Sequence, residues 1–208
     1  MVDHPKLRYY AERRSSPANA ELHNIARSTF LSTVKPFDAS DHIQGRLLSL
    51  FSKLLSPKLI VEIGTFTGYG TYCLAEGLSS KGRVITIEHD PLKMDLIRQN
   101  LNSISGRVEL VNDAALNAIK SIKGPIDLLF IDAAKREYQS YYQTLLPQMR
   151  SGGLIIADNI LWKGEVVHDD KSLMAQALDV FNSMVAADDR VEVVILPYRD
   201  GVSLIRVK

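Results

Sequence analysis

Short apolar runs and longer amphipathic stretches alternate along most of this chain. The apolar runs are typical of strands buried on both faces, and the amphipathic stretches have the spacing of helices. The runs predict strands at residues 59–63, 83–88, 107–111, 127–131 and 154–157. The stretches between them predict helices at residues 68–78, 91–103, 113–121 and 135–149. This alternation predicts an α/β fold with a doubly wound parallel sheet, helices on both faces and right-handed crossovers.

The last part of the chain departs from this alternation. A helical pattern at residues 173–185 leads to a strand pattern at 191–197, and Arg199-Asp200-Gly201 then leads directly into a strand pattern at 202–207. A connection this short excludes a parallel crossover, and Asp-Gly is a strong signal for a hairpin turn. We therefore expect a seven-stranded sheet that is mostly parallel, with an antiparallel last strand.

The N-terminal part of the chain has helical patterns at residues 18–34 and 40–55. No linker-like or low-complexity segment separates it from the rest, so we expect one domain over residues 1–208 with residues 1–55 as a helical extension. Basic residues cluster near its start, at Lys6, Arg8, Arg13 and Arg14. A solvated helix face explains such a cluster better than a contact with RNA does.

Composition narrows the class of protein. A chain of 208 residues with 46% hydrophobic and 24% charged residues resembles an ordinary soluble globular domain. Its formal net charge of +1 gives no overall attraction to nucleic acid or membrane. Cys73 is the only cysteine, which excludes an internal disulfide. The first residues lack the apolar run of a signal peptide and no segment has the length of a membrane helix, so we expect a cytoplasmic protein.

A glycine-rich turn follows the first predicted strand. Gly64, Gly68 and Gly70 are spaced G-x-x-x-G-x-G, which differs from the dinucleotide fingerprint G-x-G-x-x-G. The wider turn suits a nucleoside without a pyrophosphate, although a plain strand-to-helix turn has the same pattern. Glu88 ends the second strand, where a carboxylate can accept hydrogen bonds from both ribose hydroxyls. A solvated strand end is the alternative for Glu88.

Three further acids lie near these strands. Asp90 precedes Pro91, and we assign it to the cap of the next helix rather than to a ribose. Asp113 follows the third strand, where it caps a helix or borders an adenine pocket. Glu62 lies within a buried strand, where an unpaired carboxylate is costly. We therefore expect Glu62 to pair with backbone donors of the glycine turn or with an amino group of the ligand.

Two other predicted strands end in polar side chains. Asp132 follows the strand at 127–131, and Asp158 and Asn159 follow the strand at 154–157. Ligands of open α/β sheets bind just beyond the carboxyl ends of such strands. If these strands are neighbours, two carboxylates and one amide meet there, which are the oxygen ligands of a hard cation such as Mg²⁺ or Ca²⁺.

Together these residues resemble the class I S-adenosylmethionine-dependent methyltransferases. More narrowly, the chain is similar to the cation-dependent O-methyltransferases, the family of catechol and caffeoyl-CoA O-methyltransferases. The resemblance covers residues 39–208, and its motifs occur in the family's order. The segments that carry it are residues 44–48, 62–70, 85–90, 127–135, 157–164 and 199–201.

The resemblance implies a Rossmann-like sheet and a role for each matching residue. Gly64 and Phe66 would line the methionine part of the cofactor, Glu88 would hold the ribose, and Asp113 and Ala114 would flank the adenine. The whole set of implied cofactor-binding residues is Glu62, Gly64, Phe66, Gly68, Gly70, Glu88, His89, Asp113, Ala114 and Asp132. Gly70 departs from the family pattern, because many members have a serine there whose hydroxyl helps to bind the cofactor carboxylate.

The resemblance also implies the chemistry of the site. Asp132, Asp158 and Asn159 would bind the divalent cation, with Mg²⁺ expected and Ca²⁺ or Mn²⁺ as alternatives. Lys135 matches the family's proposed general base, although a lysine in a first helical turn is also a common surface residue. Trp162 would wall the acceptor pocket, or pack as an ordinary loop aromatic. The family further implies a homodimer built partly on the N-terminal helices.

The expected reaction is methyl transfer from S-adenosylmethionine to a hydroxyl of a catechol-type or caffeoyl-type phenol. A tRNA hydroxyuridine is an alternative acceptor that would use the same metal site. A nicotinamide-dependent oxidoreductase is a second alternative, disfavoured by the glycine spacing and the terminal hairpin. A non-catalytic cofactor-binding protein is a third, disfavoured by the two acids and the amide.

Overall fold

The computed structural model describes residues 5–36 and 39–208, so residues 1–4 and 37–38 of the predicted N-terminal extension lie outside the described residues. A seven-stranded sheet has the strand order β3-β2-β1-β4-β5-β7-β6. The strands are β1 (Leu59–Ile63), β2 (Arg83–Glu88), β3 (Val108–Asn112), β4 (Ile126–Ile131), β5 (Met149–Asp158), β6 (Val191–Leu196) and β7 (Val202–Val207). The predicted fold class is confirmed, because β7 runs antiparallel to both β5 and β6 while the β1–β4, β2–β3 and β4–β5 pairs are parallel.

Helices surround the strands in chain order. They are α1 (Pro5–Arg14), α2 (Ala20–Ser32), α3 (His42–Leu55), α4 (Tyr69–Ala75), α5 (Met94–Asn100), α6 (Ala115–Ala118), α7 (Tyr138–Leu145) and α8 (Leu173–Ala186). Several are shorter than the sequence predicts. The pattern at 135–149 resolves into a 3₁₀ turn at Lys135–Glu137, helix α7, and a second 3₁₀ turn at Leu146–Gln148. Pro147 lies in that second turn, and a proline cannot donate the hydrogen bond that would continue the helix.

The described residues divide into two compact units, which we call unit 1 and unit 2. Unit 1 comprises the described part of residues 1–58 together with Thr65–Asp113, and unit 2 comprises Leu59–Gly64 together with Ala114–Lys208. The expectation of one domain stays a prediction. No helix in the described ranges combines the length and the hydrophobicity needed to span a bilayer.

Unit 1 contains β2, β3 and helices α1 to α5. Asp41 caps α3 by accepting a hydrogen bond from the Gln44 backbone, and Ser56 ends the helix in a left-handed conformation just before Pro57. Helix α3 is joined to α4 by Glu76, whose carboxylate accepts hydrogen bonds from Arg46, Ser49 and Lys53. The predicted role of Asp90 as a cap is also found, since its side chain accepts from the Leu92 backbone with Pro91 in the first turn.

Unit 2 contains five strands and presents the carboxyl ends of β4 and β5 side by side. Ile131 pairs with both Ile63 of β1 and Ala157 of β5. Its core includes a helix pair in which Tyr138 and Tyr142 of α7 meet Phe181 of α8 edge to face, at centroid distances of 5.6 and 6.1 Å. These aromatic contacts fix α7 relative to α8 and hence fix the side chains at the start of α7.

Candidate active site

The carboxyl ends of β4 and β5 bring Asp132 and Asp158 to one edge of unit 2. Each aspartate directly follows a residue of the register pair Ile131–Ala157, and neighbouring strands lie about 4.8 Å apart. The Asp132 backbone N–H donates to Ile63 O at 2.9 Å, which holds the chain close to the end of β1. Asp158 is buried, and its Oδ1 accepts from the Asn159 backbone N–H at 2.8 Å.

Gly64 permits the close approach of the β1 end to Asp132. Its φ is +102°, and a Cβ built on it would lie 2.0 Å from the Asp132 carbonyl oxygen. That oxygen belongs to backbone, so no side-chain rotation could relieve the clash. Any larger residue here would therefore push the Asp132 backbone away from β1.

Lys135 is directed back towards the strand ends. Its Nζ donates to Asp132 Oδ1 at 2.8 Å and to Tyr138 Oη at 2.7 Å. The Lys135 side chain is only 10% exposed, which does not fit a freely solvated surface lysine. The lysine predicted as a general base thus lies against the carboxylate predicted as a metal ligand.

Tyr138 is a site residue that the sequence reasoning missed. Its hydroxyl lies 3.0 Å from Asp158 O and 3.2 Å from Ile131 O, besides its contact with Lys135. Burial raises the pKa of Tyr138 well above 10, and the charges of Asp132 and Asp158 raise it further, so the phenol stays protonated. Its spacing, one helical turn beyond Lys135, is the sequence signal that could have pointed to it.

The loop after β5 adopts an unusual backbone. Asn159, Trp162 and Lys163 all have left-handed φ values, of 57°, 45° and 57°. The β6–β7 hairpin turn holds this loop: Asp200 O accepts from the Leu161 N–H at 2.9 Å, and the Asp200 carboxylate accepts from the Lys163 N–H. Left-handed non-glycine residues are kept in place by surrounding structure, and here the hairpin holds the backbone at Leu161 and Lys163.

The residues at these strand ends are of the types that could hold a hard cation. Asp132 and Asp158 would supply carboxylate oxygens and Asn159 an amide oxygen, a donor set that suits Mg²⁺, Ca²⁺ or Mn²⁺ better than a soft metal. Across residues 5–36 and 39–208, no cluster of three or more His, Cys, Asp or Glu side chains is placed to hold a metal. A cation at this edge would therefore depend on the amide of Asn159 as its third protein ligand.

Unit 1 contains a constrained carboxylate of its own, Glu88 at the end of β2. Its Oε2 accepts from the Phe66 N–H at 2.9 Å and its Oε1 from the Asp90 N–H at 3.0 Å. Lys93 Nζ lies 3.6 Å from Oε1 and 5.2 Å from the centre of the Phe66 ring. The side chain is 5% exposed, so Glu88 is an oriented, buried group rather than a solvated strand end.

The other predicted cofactor residues are placed as follows. Gly68 is the N-cap of α4 with φ of +95°, and Gly70 is buried within that helix. His89 is exposed beside Glu88, with Nδ1 3.3 Å from its carboxylate. The N-cap of α6 is Ala114, so Asp113 does not occupy the capping position that was one of its two predicted roles. Glu62 is buried in β1, opposite Phe130.

Comparison with known proteins identifies the class that this fold and these strand ends represent. Residues 12–208 match the model of the O-methyltransferase family, and the chain belongs to that family. The predicted enzyme class, an S-adenosylmethionine-dependent O-methyltransferase, is confirmed. The oxidoreductase alternative does not fit this family.

Individual relatives carry narrower names. A catechol O-methyltransferase from Niastella koreensis is 34% identical over 177 residues, which cover 79% of this chain and 80% of the relative. A caffeoyl-CoA O-methyltransferase from Zea mays is 34% identical over 178 residues, covering 78% of this chain and 67% of the relative. The solved structure of an O-methyltransferase from Bacillus cereus in complex with SAH superposes with a TM-score of 0.90 at 30% identity, covering 96% of each chain.

Proposed function

We propose that this protein is a divalent-cation-dependent O-methyltransferase that methylates a hydroxyl of a catechol-type or caffeoyl-type phenol. The observation that carries the proposal is the edge of unit 2, where Lys135 contacts Asp132 beside Asp158. The names of the relatives support the acceptor class, since they include a catechol and a caffeoyl-CoA O-methyltransferase.

S-adenosylmethionine is the proposed methyl donor. Solved relatives of the chain support it, because the Bacillus cereus enzyme was crystallised with SAH and a Streptomyces achromogenes O-methyltransferase, 26% identical, with SAM. Glu88 would accept hydrogen bonds from the ribose hydroxyls, since two backbone N–H groups already orient its carboxylate. Gly64 and Phe66 would face the methionine part, and Asp113 and Ala114 the adenine.

Asp132, Asp158 and Asn159 would hold the divalent cation. When bound, such a cation lowers the pKa of vicinal phenolic hydroxyls and fixes their direction. The two carboxylates supply the negative charge that a dication needs, and the fixed backbone of Asn159 restricts where its amide can lie. The hairpin contact through Asp200 supports this arrangement, because it holds the backbone of the loop that carries Asn159.

The chain's own residues would orient the acceptor and move its proton. Lys135 Nζ would take the proton from the acceptor hydroxyl, whose oxygen then attacks the sulfonium methyl carbon. The S–CH₃ bond breaks with its electron pair going to sulfur, which leaves S-adenosylhomocysteine and a methyl ether. Alignment of the oxygen with the S–CH₃ bond lowers the activation free energy by several kcal/mol, as it does when two reacting groups are held in one molecule. Trp162 would form a wall for the aromatic ring of the acceptor.

An acceptor panel tests this proposal. Labelled S-adenosylmethionine is incubated with the enzyme and catechol, caffeate, caffeoyl-CoA or tRNA, each with Mg²⁺, Ca²⁺, Mn²⁺ or EDTA. We expect label on the phenols with a cation and none with EDTA. Asp158→Ala should abolish turnover, while Asp170→Ala, which changes an exposed aspartate of the same unit, should not. Undiminished turnover in EDTA would refute the metal role, and label only on tRNA would establish the alternative acceptor.

We also propose that the enzyme is a homodimer through its N-terminal helices. Leu50 and Leu54 lie one turn apart on α3 and are both exposed, Leu54 at 73%, and Phe30 and Leu31 of α2 are exposed as well. Exposed large apolar side chains of this kind are typical of surfaces that a second copy covers. Leu54→Glu should convert a dimer to a monomer in sedimentation, whereas Leu92→Glu, at an exposed leucine outside α2 and α3, should not. A wild type that sediments as a monomer would contradict this proposal.

A further inference from the structure

The hydroxyl of Tyr138 contacts several polar groups of the site. It lies 2.7 Å from Lys135 Nζ, 3.0 Å from Asp158 O and 3.2 Å from Ile131 O, and the Ala133 backbone also hydrogen-bonds to it. The Tyr138 side chain has no exposed surface, and its ring packs edge to face on Phe181 at 5.6 Å. The hydroxyl is therefore fixed in place by packing and cannot turn away from these partners.

The chemistry of the partners fixes the direction of each hydrogen bond. The carbonyl oxygens of Ile131 and Asp158 can only accept, and a phenol has a single proton to donate. In this structure that proton goes to one of the two carbonyls, and the phenol oxygen accepts a hydrogen bond from Lys135 Nζ.

Asp132 occupies a second hydrogen-bonding position on the Lys135 amine nitrogen. The carboxylate Oδ1 accepts from Nζ at 2.8 Å, and an ionised carboxylate has no proton to offer in return. A lysine amine has three positions around nitrogen, which hold three protons when it is charged and two protons and a lone pair when it is neutral. With Tyr138 and Asp132 each accepting one N–H, only the third position is left for exchange with another group.

We propose that Tyr138 is a positioning residue, which together with Asp132 holds Lys135 Nζ at the place where the proposed reaction needs its base. This rests on the proposed function, in which the acceptor is a phenolic hydroxyl. In the step, the phenol O–H bond breaks and its electron pair stays on oxygen, which forms the new bond to the methyl carbon. The proton bonds to the Lys135 lone pair, giving an ammonium group that later releases it to water.

The test removes one oxygen atom. Tyr138→Phe keeps the ring on Phe181 and deletes the contact with Lys135. The matched control is Tyr141→Phe, since Tyr141 lies on the same helix, is also buried, and directs its hydroxyl to Glu137 instead. We expect kcat to fall roughly tenfold or more for Tyr138→Phe, a part of what a general base contributes, while KM and the Kd for S-adenosylmethionine stay within about twofold. Tyr141→Phe should leave kcat unchanged.

A double-mutant comparison separates positioning from loss of structure. In a Lys135→Ala background, Tyr138→Phe should lower kcat by no more than about twofold further, because the group it positions is already gone. Full additivity of the two changes would overturn the proposal, and so would an unchanged kcat in Tyr138→Phe. In either case the proposed function would stand if the wild type methylates phenols.

A readout without turnover uses the protein free of metal and cofactor. In crystals of Tyr138→Phe, we expect Lys135 Nζ to leave its position beside Asp132 or to lose a defined position. In crystals of Tyr141→Phe, Lys135 Nζ should keep its position beside Asp132. An unmoved Lys135 in Tyr138→Phe would overturn the proposal. A wild type inactive on every phenol would refute the proposed function, and the crystal comparison would still decide whether Tyr138 holds Lys135.

Discussion

The contact between Gly64 and Asp132 gives a prediction whose magnitude follows from the structure. Gly64→Ala would place a Cβ 2.0 Å from a backbone carbonyl oxygen, at a φ of +102°. The positive φ costs an L-residue about 1–2 kcal/mol. Forcing the end of β1 away from the Asp132 backbone costs about 1–3 kcal/mol more, as for other overpacked sites. We therefore expect a total loss of about 2–5 kcal/mol in the free energy of unfolding, out of a typical 5–15 kcal/mol.

Substitutions at two other glycines separate the cost of the positive φ from the cost of the steric clash. Gly164 has φ of +81° with nothing within 4 Å of an added Cβ, so Gly164→Ala should show only the backbone cost of about 1–2 kcal/mol. Gly106 has open space and no positive φ, so Gly106→Ala should change stability by less than about 0.5 kcal/mol. We therefore expect Gly64→Ala to lose the most free energy of unfolding, Gly164→Ala less, and Gly106→Ala the least.

Urea unfolding measures these differences. Trp162 is the only tryptophan and lies in unit 2 with Gly64, so its fluorescence reports on the unit that carries the substitution. Circular dichroism should be recorded in parallel, because Gly164 is close to Trp162 in the chain. If Gly64→Ala proved no less stable than Gly164→Ala, the Asp132 backbone would be free to move, and the argument for a rigid strand edge would fail.

Two further predictions concern other parts of the molecule. Burial alone would raise the pKa of Glu76, but the hydrogen bonds to its carboxylate outweigh burial and lower the pKa below 4.5. The ionised carboxylate therefore stabilises the fold fully above pH 4.5. This stabilisation is lost as the pH falls through the lower pKa of the folded state. Glu76→Gln should thus cost about 2 kcal/mol at pH 7 in urea unfolding, and the gap to wild type should narrow towards pH 3; a constant gap would contradict this. Gly201→Ala would place a Cβ 2.3 Å from Leu161 Cγ at a φ of +87°, and by displacing the loop after β5 it should weaken Mn²⁺ binding roughly tenfold in calorimetry. Unaltered Mn²⁺ affinity would show that the hairpin does not position the metal loop.

The strands were the most predictable part of the fold. The bounds of β1, β2 and β7 agree with the sequence pattern, because apolar and β-branched residues dominate each of them. The hairpin followed from the short connection and from Asp200-Gly201. Helix lengths were less predictable, since the chain tightens into 3₁₀ turns that are too short to have a distinct period in the sequence. β5 begins at Met149 and extends through Gly152 and Gly153, which a propensity argument assigns to a turn.

The candidate site was only partly predictable. Strand ends identify Asp132, Asp158 and Glu88, because acids that follow apolar runs stand out in a sequence. Tyr138 gives no such signal, since a tyrosine on an amphipathic helix normally indicates core packing, and its role depends on which way one hydroxyl points. The left-handed backbone of the loop after β5 was also unpredictable, because Asp200, which holds it, is about 40 residues away in the chain.

The division of the chain has a consequence for dissecting the protein. β1 belongs to unit 2, yet it lies in the sequence between the two segments of unit 1. A fragment of residues 114–208 would keep β4 to β7 but would uncover the side of β4 that β1 covers, including Leu129 and Phe130, which are now at most 2% exposed. Neither half can be released intact by one proteolytic nick or one stop codon. Isolating unit 2 calls for a rearranged gene that splices the β1 segment onto the later sequence.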